Sequence, residues 1–522
     1  MTDWDAEVED KYNTLRETFA TGKTRGLAWR REQLKALKNM LVQERLFLQG
    51  CAKADLNKSD AEGYLMEINP VEHEVQNALD HLDEWTKPTS KPLNLLNIPG
   101  SCMVYKDPLG VVLVAGAWNY PIQLTLSPLA GAIAAGNCVM VKVPSSKYAT
   151  QCSKGMARII RKYMDNECIK VVEGDRHAMT AVLKQRFDHI CFTGGSYVGK
   201  IVAAAAAKHL TPVTLELGGK SPIIVDETAD IAVSAKRYTW AALINCGQTC
   251  IRPDYCMVHA SIADKFISAC KESIVSMFSK DPKSCEFFGR LINQRAWQRV
   301  SGMVEDSKQY IVHGGQVDES QNFVEPTLFD FGTDFGAFKT SSVMLDEIFG
   351  PLMPVYRYTD LDQAIGYVQS GEKPLVAHVF SKKPETQERV LTETSSGQGC
   401  VNDAILFMSN DALPFGGVGN SGMGRYHGKY TFTMFTHEKT VLKKHFILDL
   451  PARYPPYSNK FNMFLLGLLQ YPYNKLQILC IKTCLLVLLT LACKKAGVLE
   501  GIVRPLLHSF FSWGASATSG SW

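Results

Sequence analysis

The sequence predicts an α/β protein of more than one domain, built on mostly parallel sheets with helices on both faces. Three observations carry that expectation. The chain has 522 residues, more than one ordinary domain holds. Its composition, 46% hydrophobic and 21% charged, is that of a globular protein able to bury large cores. Short continuous apolar runs alternate with helix-length stretches, the pattern of parallel strands buried on both faces.

The elements follow in order. Leu34, Leu37, Met40, Leu41, Phe47 and Leu48 recur at helical spacing, and residues 6–82 read as several amphipathic helices. Pro88, Pro92 and Pro99 break that pattern, so residues 93–103 are expected as an extended arm. Residues 111–115 and 139–143 suit buried strands, with a helix over 128–135 between them. Then come a helix at 156–163, strands at 169–172 and 189–192, and an alanine-rich helix at 198–208. After Thr211 a second α/β unit begins, with strands near 223–225 and 255–258 and a helix over 262–277. There is no internal repeat and no low-complexity tract.

The net charge of +4 is too small to argue for a nucleic-acid partner, but it is unevenly spread. From Val441 onward nine lysines and arginines face only Asp449 and Glu500, giving +7 there and −3 on residues 1–440. The tail holds two apolar stretches, 461–469 and 476–493, separated by Pro472 and Asn474. The second approaches the length of a membrane span but contains Lys482. Lys494, Lys495 and Arg504 follow, so the tail suits an anionic cytosolic leaflet. A helical pair packed on the globule or on a dimer partner is the alternative. Whether the tail spans or lies on the membrane stays open. The 15 cysteines are scattered, and residues 1–10 are acidic without an apolar run. Free thiols in a reducing, cytosol-facing compartment are expected.

Three short segments carry candidate chemistry. In Asn245-Cys246-Gly247-Gln248-Thr249-Cys250 either cysteine reads as a nucleophile or as a packed, inert thiol, and the C-x-x-x-C spacing disfavours disulfide exchange. In Leu215-Glu216-Leu217-Gly218-Gly219-Lys220 a glutamate lies between leucines. It is either a carboxylate paired with a lysine or a buried general base. In Phe192-Thr193-Gly194-Gly195-Ser196-Tyr197-Val198-Gly199-Lys200 a glycine turn after a strand opens a helix, which suits a phosphate or is simply a turn.

Together these segments resemble the aldehyde dehydrogenase superfamily, above all the class of the fatty aldehyde dehydrogenases. The resemblance runs from about Tyr12 to about Lys444. Its further motifs are Ala117-Trp118-Asn119-Tyr120-Pro121, Val141-Lys142, Glu347-Ile348-Phe349-Gly350-Pro351 and Pro414-Phe415-Gly416-Gly417. Residues 414–429, with Asn420-Ser421-Gly422-Met423-Gly424 and Tyr426-His427-Gly428, point to the class. The resemblance implies that Cys250 attacks the aldehyde to give a thiohemiacetal and then a thioester. It implies that Asn119 and the Cys250 amide hold the oxyanion, and that Glu216 activates the hydrolytic water. For a cofactor, NAD or NADP, it implies Lys142 on the adenosine ribose and Glu347 on the nicotinamide ribose. Phe349 would pack beside the nicotinamide, and Gly194, Gly195, Ser196 and Gly199 would serve the pyrophosphate turn. No metal is expected. Cys246 has no assigned role beyond packing or pairing with Cys250 on oxidation.

At the place where many relatives carry a ribose-gripping glutamate, this chain has Ser145. An acid there repels a 2′-phosphate and serine does not, so NADP use is expected beside or above NAD, unless a one-residue loop shift voids the comparison. The resemblance divides the chain into a Rossmann-type cofactor domain (1–210), a catalytic domain (211–430), a bridging strand (431–450) and the membrane-associating tail (451–522). The arm at 88–103 joins a small bridging sheet that builds a homodimer. The expected substrates are medium- to long-chain aliphatic aldehydes, and the expected location is a membrane facing the cytosol, such as the endoplasmic reticulum. A CoA-acylating relative needs no hydrolytic base, so Glu216 argues against it. An idle structural member would not keep Asn119, Glu216, Cys250 and Glu347 together.

Overall fold

The computed structural model describes residues 3–470, apart from 448, 450 and 458, together with residue 483. Two compact units are present among the described residues: residues 3–87 with 106–439, and residues 88–105 with the described residues from 440 onward.

The first unit contains two large sheets. One has six strands in the order Gly422–Met423, Val213–Glu216, His189–Thr193, Val111–Ala115, Cys138–Lys142, Ile169–Val172. All neighbours are parallel except Gly422–Met423, which runs antiparallel to Val213–Glu216. Every residue of Val111–Ala115 and of Cys138–Lys142 is buried, as continuous apolar runs covered on both faces should be. Because Val213–Glu216 pairs in this sheet, the sheet continues past residue 210. The register aligns Ala115 with Lys142 and Phe192, and Thr193 with Glu216. The carboxyl ends of these strands therefore lie side by side, which is where open α/β sheets place their ligands.

The expected helix at 128–135 begins earlier, spanning Gln123–Ala135 with Pro128 inside it. Its first turn is anchored from outside: Glu67 Oε2 accepts the amides of Ile122 (3.0 Å) and Gln123 (3.1 Å). A carboxylate at a helix N-terminus satisfies open amides and complements the dipole. Pro128 therefore does not start the helix, and every helix residue after Gln123 is buried.

The second sheet has seven strands in the order Ile311–His313, Thr327–Asp330, Leu352–Tyr358, Tyr255–His259, Pro222–Val225, Val376–Phe380, Gln398–Val401. Only the first pair is antiparallel. Helices Ile231–Leu243 and Ala263–Phe278 pack on one another, their apolar residues feeding the core of this sheet.

The second unit is built on a three-stranded sheet of Thr89–Lys91, Gly100–Pro108 and Thr436–Lys444, in that order. The arm and the strand after Thr431 thus share a sheet. Helix Lys460–Gln470 covers the first apolar tail stretch. Among the described residues no helix is long and apolar enough to cross a membrane. The second stretch, 476–493, lies outside the described residues except for residue 483.

Candidate active site

The strand Val111–Ala115 ends in a turn through Gly116 that delivers Asn119, which is 4% exposed. Glu216 closes the strand Val213–Glu216 and is 3% exposed. Cys250 arrives from the second sheet's side, after helix Ile231–Leu243 breaks at a turn of unusual backbone. Asn245, Cys246 and Gly247 all adopt left-handed conformations, with φ of 53°, 54° and 71°. Such residues other than glycine cost about 1–3 kcal/mol each and persist only where the surroundings hold them. A Cβ at Gly247 would overlap the carbonyl of Gly350, so that position admits only glycine. Gln248 clamps the turn: its Nε2 donates to Asn245 O (3.1 Å) and Arg290 O (2.9 Å), and its Oε1 accepts from Ile292 N (2.9 Å).

One cavity of about 410 Å³ brings eight of the eleven expected site residues together. Asn119, Glu216 and Cys250 line it with Ser145, Gly194, Gly195, Glu347 and Phe349. The other three lie elsewhere. Lys142 is buried, with Nζ donating to Val143 O (2.7 Å) and Gly174 O (2.9 Å), and burial lowers its pKa to about 8. Ser196 faces a neighbouring cavity and its Oγ donates to Asn420 O (3.1 Å). Gly199 sits inside helix Ser196–Ala207, where a Cβ would lie 2.6 Å from Leu217 Cδ2; close packing of helix on strand is what requires it. Trp118 and Tyr148, which carried no expected role, also line the cavity. Trp118 meets the Phe349 ring edge-on at 5.4 Å and stacks on Tyr148 at 6.2 Å. Phe349 is itself left-handed, at φ 46°. The two cysteines of the motif part company: Cys246 is buried in the second sheet's core, while Cys250 packs in a different cluster beside the cavity.

The electrostatics of the cavity are set by burial. Among the described residues neither carboxylate oxygen of Glu216 has a hydrogen-bond partner, and burial raises its pKa well above the usual carboxylate range. Burial, with Asp254 adding to it, pushes the Glu347 carboxyl up to about 8 against the opposing Gly219 amide and Lys220; its Oε1 has no partner. The Cys250 thiol is pushed up to about 12 by burial and then by Glu347 and Glu216, while its own amide and that of Ile251 oppose the shift. Helix Ser196–Ala207 opens with no side-chain cap behind Gly195. An uncapped N-terminus beside two glycines, with an orphaned Glu347 oxygen across the cavity, fits a dinucleotide: phosphate at the amides and a ribose hydroxyl at the carboxylate.

The aldehyde dehydrogenase family model matches residues 4–441. The chain belongs to the aldehyde dehydrogenase family. Relatives of this dehydrogenase include the dimeric NADP-preferring aldehyde dehydrogenase of Rattus norvegicus, 40% identical over 453 residues that cover 86% of this chain and 98% of that one. Aldehyde dehydrogenase family 3 member A2 of the same species is 40% identical over 477 residues, covering 90% and 96%. Among solved structures, the substrate-bound state of Staphylococcus aureus AldH matches with a TM-score of 0.85 at 37% identity, covering 88% of this chain and 99% of that one. The dehydrogenase thus has the fold that its motifs implied and oxidises aldehydes with NAD or NADP.

Proposed function

We propose that this dehydrogenase converts medium- to long-chain aliphatic aldehydes to carboxylic acids through a cysteine thiohemiacetal and thioester. The observation that carries the reading is the partnerless Glu216 carboxylate sharing one cavity with Cys250 and Asn119. Cys250 Sγ attacks the aldehyde carbon as the thiolate. One Asn119 Nδ2 hydrogen is engaged by Gln248 O at 3.1 Å, leaving the other, with the Cys250 amide, to hold the oxyanion. NAD or NADP, when bound, would supply the hydride acceptor; Glu347 would hold its nicotinamide ribose, Phe349 would pack beside its ring, Lys142 and Ser145 would serve its adenosine ribose, and the Gly194–Gly195 turn its pyrophosphate. Glu216 takes the proton of the water that cleaves the thioester, which a raised pKa suits. Ser145 on the cavity wall favours acceptance of NADP beside NAD.

The bridging sheet is read as a homodimer element and residues 451–522 as a tail that holds the enzyme to a cytosol-facing membrane, such as that of the endoplasmic reticulum. Its basic residues are worth about 1 kcal/mol each near an anionic leaflet. Long aldehydes partition into such membranes, which is the reason for the substrate assignment. The test is NADH and NADPH formation across an aldehyde series, with the acid identified by mass spectrometry. It is paired with liposome flotation of the full chain and of one ending at Arg453. Acyl transfer to CoA in place of acid would overturn the chemistry, and flotation of the shortened chain would overturn the tail's role.

A further inference from the structure

Two fully buried charges lie under the candidate site and belong to none of its expected residues. The side chains of Lys58 and Glu67 are both 0% exposed and paired at 2.6 Å. A buried ion pair is poor value as a stabiliser compared with apolar packing, so its presence calls for a geometric reason. The contacts supply one. Lys58 spends its three donors on the Glu67 carboxylate, on the Asn119 carbonyl at 2.8 Å, and toward the ring of Tyr120, whose centroid is 3.9 Å from Nζ. Through its other oxygen Glu67 holds the amides of Ile122 and Gln123. The turn from Asn119 to Gln123 is therefore gripped at both ends by one pair.

That grip extends to the nucleophile's loop. The Asn119 carbonyl also accepts from Asn245 Nδ2 at 2.8 Å, and Asn245 Nδ2 and Asn119 Nδ2 each donate to Gln248 O at 3.1 Å. Tyr120 Oη bonds Thr249 Oγ1 at 2.7 Å, one residue before Cys250. We propose that Lys58 and Glu67 are positioning residues that fix the Asn119 peptide, and with it the Asn119 amide, relative to Cys250. This rests on the reading of Asn119 as the oxyanion donor.

The test uses the full-length enzyme and the neutral double variant Lys58→Met/Glu67→Gln, which removes both charges and keeps an acceptor for the Ile122 and Gln123 amides. Glu67→Gln alone is the second variant, should the double variant fail to fold. The expected result is a burst of reduced cofactor slowed roughly ten- to a hundredfold, as small misplacements at a reacting centre produce. Cofactor Kd and the alkylation rate of Cys250 stay unchanged, and the charge changes add nothing further in an Asn119→Ala background. A purely structural pair would slow the burst by the same factor in both backgrounds, and that outcome overturns the inference. So does an unchanged burst in either charge variant where Asn119→Ala slows it. If Asn119→Ala itself leaves the burst unchanged, the reading of Asn119 fails first, and the inference with it.

Discussion

A Cβ at Gly218 would overlap Oε2 of Glu347. The backbone leaving the strand that ends in Glu216 passes so close to this carboxylate that only glycine leaves it room. Gly218→Ala should push Glu347 off its position and weaken NAD binding by about two- to tenfold, since an ordinary hydrogen bond is worth about 0.5–1.5 kcal/mol. Calorimetric titration reads this directly, and an unchanged Kd would show that Glu347 does not hold the ribose.

The same carboxyl sets a pH dependence of stability. Its pKa is pushed up to about 8 in the folded chain from an ordinary 4.5. The folded state then binds this proton more tightly than the unfolded state. The stabilisation is complete below about pH 4.5 and is lost as pH rises toward 8. Tm of the cofactor-free enzyme should fall across that window, and Glu347→Gln should remove part of the fall. Identical slopes for the two proteins would refute it.

Cys250→Ser should abolish aldehyde oxidation and leave the cofactor Kd unchanged to within about twofold, since an alcohol here has no matching base to ionise it. With the Cys250 thiol raised toward about 12, little thiolate exists at neutral pH in the free enzyme. Its alkylation by iodoacetamide, followed by peptide mass spectrometry, should still be climbing above pH 9. A plateau near pH 7 would mean that some group lowers the thiol pKa instead.

Glu216→Gln should form a burst of reduced cofactor and then turn over about 10²–10⁴-fold more slowly, the range for loss of a general base. Stopped-flow absorbance separates the two phases. Neither burst nor turnover would reassign Glu216 to thiol activation or to structure.

Ser145→Glu should weaken NADP binding by about tenfold or more through repulsion of the 2′-phosphate and leave NAD binding nearly intact. The ratio of the two Kd values is the readout. Equal losses for both cofactors would place residue 145 away from the adenosine ribose.

The strand at 111–115 was legible from composition alone, because a strand buried on both faces must be apolar throughout. Cys250, Glu216 and Asn119 were legible as candidates because their neighbours in the chain carry the family's motifs, and the structure places all three on one cavity. Other features were not written locally. Leu352–Tyr358 is a central strand despite Pro354, a residue that argues against one. The structure tolerates it because the ladder to Tyr255–His259 begins only at Val355. Gly199 looked like part of a phosphate turn, and only the approach of Leu217 shows it to be a packing glycine. Lys58 and Glu67 fall within residues 6–82, where the sequence shows several amphipathic helices and singles out neither residue; their burial emerges only in the structure. By itself the sequence determined many of the elements up to residue 277 and the chemical groups, since periodicity and backbone sterics act over a few residues. The tertiary structure alone decided which distant groups share a cavity and which charges lose their water, because desolvation depends on what the rest of the chain packs against them.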